Sequence, residues 1–82
     1  VNMDHNLKVW PTAYQALMRG EKLFEIRLND RDYAIGDVLL LKPWSPTKSA
    51  YLDGAMTLAF QVTYISNWEQ KPGYVVMSLK RL

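Results

Sequence analysis

Two cations flank one carboxylate between Gly20 and Arg27, and this segment holds the residue types best suited to chemistry. It reads Gly-Glu-Lys-Leu-Phe-Glu-Ile-Arg, with Lys22 and Arg27 on either side of Glu25. A guanidinium grips a phosphate or a base edge through its planar fork, and an ammonium neutralises a phosphate as a point charge. The carboxylate can orient either cation or accept from an exocyclic amine. The segment predicts a polar binding site or, alternatively, an ion-pair network that only supports the fold.

Alternation within this segment predicts which side chains share a face. If residues 23–29 form a strand, successive side chains point to opposite sides. The apolar set comprises Phe24, Ile26 and Leu28, and the polar set comprises Glu25, Arg27 and Asn29. We therefore expect the apolar set to fill the core and the polar set to face a groove, although a solvated surface strand alternates in the same way.

Further candidates lie outside the segment. Lys8 sits in a short extended stretch and could face the same groove or be a solvated charge. Asn29 and Arg31 belong to an Asn-Asp-Arg-Asp turn, where Asn and Asp side chains often bond their own backbone. Arg31 is the member of that turn that could reach a ligand.

Aromatic side chains beside basic residues are typical of single-stranded nucleic-acid binding, because bases stack on them. The three tryptophans, Trp10, Trp44 and Trp68, lie next to prolines or turns and could instead plug the ends of a small core. Trp44 is the strongest stacking candidate, because Lys42 and Lys48 flank it, and Tyr51 is the second.

Composition narrows the function classes. The chain has 82 residues, 49% of them hydrophobic, a net charge of +2 and no cysteine. These values favour one domain over residues 1–82 and exclude disulfides and Cys-based zinc sites. His5, the single histidine, has no recognisable nucleophile partner, and we expect it to pack or lie at the surface. We also expect no metal, no cofactor, no membrane association, no signal peptide and a cytoplasmic location.

The order of elements predicts a mostly β, α+β fold. We expect strands at Leu7–Trp10, Leu23–Leu28, Val38–Lys42, Leu58–Ser66 and Tyr74–Leu82, with a long loop over residues 43–57 that could hold a short strand near its end. We expect a short helix over Ala13–Arg19, with Thr12 as its N-cap and Gly20 after its end. Antiparallel pairing is the economical arrangement, in a small curled antiparallel or mixed barrel of five or six strands with the helix over one open end.

The motifs resemble a known family. Gly20, Lys22, Glu25 and Arg27 match a Gly-x-Lys-x-x-Glu-x-Arg signature, and the Asn-Asp-Arg-Asp of residues 29–32 and the Gly-Asp of residues 36–37 follow in register. In these features the chain resembles the ASCH-like proteins of the PUA superfamily, and more narrowly the small bacterial and phage DUF3850 branch.

The resemblance implies a PUA-like barrel with a cleft beside the helix and a role in binding RNA or a nucleotide-like ligand. Together with the residue pattern, it gives seven candidate binding residues: Lys8, Lys22, Glu25, Arg27, Asn29, Arg31 and Trp44. One departure is the loop Tyr-Leu-Asp-Gly-Ala at residues 51–55, which lacks the basic residue of a Tyr-Thr-Gly-Arg-like element.

Two other functions stay open. Some ASCH-like proteins are amidohydrolases that act on acylated cytidine with the motif lysine and a threonine. By register that threonine falls at Glu25 here, so acid–base chemistry would rest on Lys22 and Glu25. The third function is a protein-interaction adaptor that uses an exposed sheet edge.

Overall fold

A computed structural model describes residues 2–82 and places six strands and one helix in that part of the chain. The elements are β1 (Asp4–Val9), α1 (Pro11–Met18), β2 (Phe24–Leu28), β3 (Val38–Ser45), β4 (Ala50–Tyr51), β5 (Leu58–Ser66) and β6 (Tyr74–Arg81). The predicted fold class is confirmed: strands dominate, the sheet is mixed and curled, and one short helix packs against it.

The sheet runs in the order β1-β3-β5-β6-β2, and β4 pairs with the end of β3. Three of the neighbouring pairs are antiparallel, as predicted, but β1 and β3 are parallel. The chain can return to β3 in the same direction because α1 and β2 lie between the two strands in sequence and provide the long crossover that parallel pairing needs. β1 and β2 are the two ends of the sheet, and no backbone ladder joins them.

Every second residue of four strands points into one apolar core. The inward residues of these strands are Leu7, Val9, Leu39, Leu41, Leu58, Phe60, Val62, Val75, Met77 and Leu79. The helix adds Tyr14 and Leu17, and the Tyr14 hydroxyl donates to the carbonyl of Met56 over 2.6 Å. This bond satisfies the polar end of a buried aromatic ring and ties the helix to the loop before β5.

The helix begins two residues earlier than predicted, at Pro11 instead of Ala13. Pro11 is its first residue, Trp10 is the N-cap, and no side chain caps the N-terminus, so the prediction of Thr12 as N-cap was wrong. Proline is well suited to the first helical position because its fixed φ is helical and its missing N–H would have no partner there. The helix ends at Met18, one residue earlier than predicted, with Arg19 as its C-cap. Gly20 follows the cap as predicted, with a φ of +75°, a conformation that glycine adopts without strain.

The apolar side chains of β2 face outward, whereas the prediction placed them in the core. Glu25 is buried with only 4% of its surface exposed, whereas Phe24, Ile26 and Leu28 are all exposed. Register explains the inversion, because Glu25 lies opposite Met77 and Arg27 lies opposite Val75 in the β2–β6 ladder. Directly opposed residues share a face, so the two charged side chains must point to the same side as the core residues of β6.

Other differences concern strand limits. β1 starts at Asp4, and β3 continues through Pro43 to Ser45, so the first part of the predicted 43–57 loop is strand. The short strand within that stretch is β4, which lies in its middle rather than near its end. In β5 a bulge between Val62 and Tyr64 interrupts the alternation and turns Tyr64 outward.

A buried polar pair fixes β1 to the turn before β3. His5 Nε2 lies 2.8 Å from Asp37 Oδ2, and the backbone N–H groups of Met3 and Ala34 each donate to the Asp37 carboxylate over 3.0 Å. Burial by itself raises the pKa of Asp37, but the bonds from His5 and the two N–H groups outweigh it and hold the pKa below its usual range. Gly36, just before Asp37, has a φ of +97°, which favours glycine there.

We expect Asp37→Asn to lower the free energy of unfolding by about 2–3 kcal/mol near neutral pH, because buried partners lose a charged acceptor. The folded pKa of Asp37 is depressed, so its contribution is present above the unfolded pKa of about 4 and is lost as pH falls through the folded value. Urea unfolding at a series of pH values should show the gap between the two proteins closing in acid. Asp53→Asn, on an exposed loop, is the matched control, and a gap that stays constant into acid would contradict the assignment.

Candidate functional site

The two unpaired ends of the sheet face each other across an open cleft of about 440 Å³. We call it the seam cleft. Its walls come from β1, the start of α1, β2 and the start of β6, through Lys8, Val9, Trp10, Thr12, Ala13, Glu25, Ile26, Arg27, Leu28 and Tyr74. The predicted groove beside the helix is therefore present, and it contains both Glu25 and Arg27.

A cluster of three charged residues, Lys22, Glu25 and Arg27, lies at the cleft. Arg27 Nε donates to Glu25 Oε2 over 2.9 Å, and Lys22 Nζ donates to the other carboxylate oxygen, Glu25 Oε1. Lys22 Nζ also donates to the Phe24 carbonyl over 2.7 Å. Two cations around one carboxylate leave one excess positive charge, so the cluster is at once an ion-pair network and a cationic wall.

Arginine side chains join the sheet ends where the backbone does not. Arg27 Nη2 donates to the Lys8 carbonyl over 2.6 Å, and Arg31 Nη1 donates to the Asn6 carbonyl over 3.1 Å. Both carbonyls belong to β1, whose free edge would otherwise lack partners. Arg27 thus holds Glu25 with one nitrogen and β1 with another, which fixes its planar group across the cleft.

Lys8 and Trp44 form a second contact at the edge of the site. The Lys8 ammonium lies 3.8 Å from the centroid of the Trp44 ring, and Tyr51 meets the same ring edge-on at 5.0 Å. Trp44 is half-buried, and one of its faces is covered by Lys8. Trp44 therefore positions a cation here and does not itself line the seam cleft.

The Asn-Asp-Arg turn serves mainly the fold. Asn29 Oδ1 accepts from the backbone N–H of Tyr33 over 3.0 Å, and the Asn29 N–H donates to the Gly73 carbonyl. The Asn29 side chain therefore bonds the backbone of its own turn, as Asn side chains in turns often do. Arg31 is the residue of this turn whose side chain reaches β1. Of the predicted site residues, Lys8, Glu25 and Arg27 line the cleft, Lys22 and Arg31 lie beside it, and Asn29 lies apart.

Sequence reasoning missed an aromatic wall. Trp10 is 64% exposed and lines the cleft, and Trp68 is 76% exposed, so neither ring plugs an end of the core, which was one of the two alternatives for the tryptophans. The signal for Trp10 was the Pro11 that follows it, because a residue that caps a proline-initiated helix lies at the helix end and not within a buried strand. Tyr74 and Thr12 also line the cleft and carried no sequence signal.

The cleft is lined by the cations Lys8 and Arg27, the carboxylate Glu25 and several apolar side chains, among them Trp10 and Leu28. Burial raises the pKa of Tyr33, and the charges of Arg27 and Arg31 act in the opposite direction.

Within residues 2–82, no group of three His, Asp or Glu side chains could hold a metal ion. Within that same range no helix is long and apolar enough to cross a membrane.

We expect Glu25→Gln to lower the free energy of unfolding by about 2–3 kcal/mol, because two partly buried cations lose their shared counter-charge. Glu21→Gln is the matched control: Glu21 also pairs with an arginine, Arg19, but both side chains are more than half exposed, so its stability should be unchanged within error. Urea unfolding of the three proteins measures the difference, and equal stability of both variants would contradict a structural role for the cluster.

Comparison with known proteins identifies one family. The family model described as "Domain of unknown function (DUF3850)" matches residues 4–79, which span all six strands and the helix apart from the last residues of β6. A search of curated proteins finds no match to the chain. Because the family model covers nearly the whole chain, the protein belongs to the DUF3850 family.

Proposed function

We propose that this protein binds single-stranded nucleic acid, RNA above all, in the seam cleft. The observation that carries the proposal is the presence of an exposed indole, Trp10, in the same concavity as two cations, Lys8 and Arg27. A base can stack on the ring while phosphates lie against the cations, and this combination is typical of single-strand binding.

The positive charges are arranged in a row, which suits the sugar–phosphate backbone of a nucleic acid better than a single small anion. Arg27 and Arg31 both cross from β2 and its turn to β1, at the Lys8 and Asn6 carbonyls. Those two carbonyls belong to residues two apart on one strand, so the guanidiniums lie in sequence along the seam. Lys8, held over Trp44, extends the row outward from the cleft.

We further propose that the chain is an ASCH-like domain of the PUA superfamily, from a bacterium or phage, and acts in the cytoplasm. The Gly-x-Lys-x-x-Glu-x-Arg signature supports this, because three of its residues, Lys22, Glu25 and Arg27, form one bonded cluster at a cleft beside the helix. The hydrolase alternative stays a prediction. It gains no support from Lys22, whose ammonium already donates to Glu25 and to the Phe24 carbonyl.

We expect the binding of a mixed-sequence, single-stranded RNA to weaken steeply with salt. A plot of the logarithm of the association constant against the logarithm of the salt concentration should fall with a slope of about −0.7 for each phosphate contact. Changing Lys8 and Arg31 together to alanine should flatten this slope by roughly one contact or more and weaken binding.

Trp10→Ala should weaken binding by about tenfold with an unchanged slope, because stacking releases no counterions. Fluorescence anisotropy over a salt series measures all three.

Lys80→Ala is the matched control, since it removes a cation from the exposed end of β6, away from the seam cleft. It should leave both affinity and slope near those of the wild-type protein. No binding at low salt, or an equal loss in the Lys80→Ala protein, would exclude the seam cleft as an RNA site. Turnover of an acylated cytidine nucleoside that Lys22→Ala abolishes would favour the hydrolase instead.

A further inference from the structure

We propose that the main-chain N–H and C=O of Ile26 form the base-reading edge of the seam cleft, which pairs with the Watson–Crick edge of one nucleobase. The inference rests on the proposed function and adds the recognition element to it. It follows from which backbone groups of β2 are used by the sheet and which point into the cleft.

The β2–β6 ladder uses the backbone of the odd-numbered residues. The Leu79 N–H donates to the Leu23 carbonyl over 3.0 Å at one end, and the Asn29 N–H donates to the Gly73 carbonyl over 2.8 Å at the other. The register between these ends is continuous. Bonded and non-bonded pairs alternate in an antiparallel ladder, so Glu25 and Arg27 are the bonded positions between them.

The even-numbered residues therefore turn their backbone groups away from β6, towards the free edge. Two of their carbonyls have other partners: Phe24 accepts from Lys22 Nζ, and Leu28 accepts from the Asp30 N–H. Ile26 is the central residue of the strand, and both its N–H and its C=O face the gap between β2 and β1. An adjacent donor and acceptor are thus presented side by side by one residue.

The position of Ile26 makes this edge available to a ligand. Ile26 is 51% exposed and lines the seam cleft together with its neighbour Arg27 and with Trp10. A base held against the indole would have its ring edge directed at a strand edge, with Leu28 and Tyr74 as apolar walls. Its phosphates would lie towards the cations of the row already described.

The chemistry fits a nucleobase because every base carries a hydrogen-bond donor next to an acceptor on its Watson–Crick edge. Uracil would donate N3–H to the Ile26 carbonyl and accept the Ile26 N–H at a neighbouring oxygen. Recognition through the backbone selects a planar ring with that pattern. An extended peptide presents the same pattern along its backbone and is the competing occupant.

The test combines a modified ligand with a backbone variant. Oligouridine is compared with the same oligomer methylated at N3, which keeps the phosphates and the ring face but removes the donor. Ile26→Pro removes the N–H, keeps the C=O and replaces the side chain, and it should be tolerated because that N–H lies outside the ladder. Phe24→Pro is the matched control, because it removes an equivalent outward N–H on the same strand outside the cleft. Circular dichroism and thermal unfolding confirm that each variant is folded.

We expect N3-methylation to weaken binding to the wild-type protein by roughly five- to tenfold, as for the loss of one or two hydrogen bonds. Ile26→Pro should weaken the binding of oligouridine by a similar factor and still prefer it to the methylated oligomer, because the Ile26 carbonyl that accepts N3–H is kept. Phe24→Pro should keep both the wild-type affinity and the wild-type preference. If Ile26→Pro does not fold, the comparison of the two oligomers on the wild-type protein decides.

Equal binding of the two oligomers by the wild-type protein overturns the inference while leaving the proposed function intact, provided mixed-sequence RNA still binds with a salt dependence. Failure to bind either oligomer, when mixed-sequence RNA binds, also overturns it. Failure to bind any RNA removes the proposed function itself. Binding of an alternating apolar peptide that Ile26→Pro abolishes, without RNA binding, would assign the edge to a protein partner.

Discussion

The buried carboxylate of Glu25 is the interaction on which this structure depends. A charge removed from water is costly unless cations and hydrogen bonds replace its hydration, and here Lys22 and Arg27 provide both. Lys22 follows the helix end, and Arg27 reaches the Lys8 carbonyl of β1. One carboxylate therefore ties together the helix exit, one end of the sheet and, through Arg27, the other end. A hydrophobic residue at this position would fill the space but could not hold the two cations at the cleft.

The same arrangement keeps the sheet open. Backbone pairing between β1 and β2 would close the barrel and remove the seam cleft, whereas arginine side chains span the gap and leave room beside them. The free edge of a strand usually invites uncontrolled pairing, and charged side chains are one of the ways in which proteins limit it. In this protein the charges cover the β1 edge at the Asn6 and Lys8 carbonyls. The Ile26 edge stays available, and the proposals for base recognition rest on that difference.

The outer side of β2 is the least expected surface. Phe24, Ile26 and Leu28 are exposed although their alternation is typical of a core-facing row. The prediction failed because alternation shows that two faces exist without showing which one is inside. The pairing of Arg27 with Val75 and of Glu25 with Met77 determines which face is inside.

The sequence by itself determined the mostly β fold, the short helix ended by Gly20, the strand from Leu58 to Ser66, and the membership of Lys22, Glu25 and Arg27 in one group. These follow from local periodicity, turn residues and the spacing of charges, which act over a few neighbouring positions. Only the tertiary structure decided the direction of β1, the inward facing of Glu25, the exposure of Trp10 and the open seam. Each of these depends on which strand lies beside which and in what register, and such pairings join residues far apart in the chain, where a local pattern carries no information.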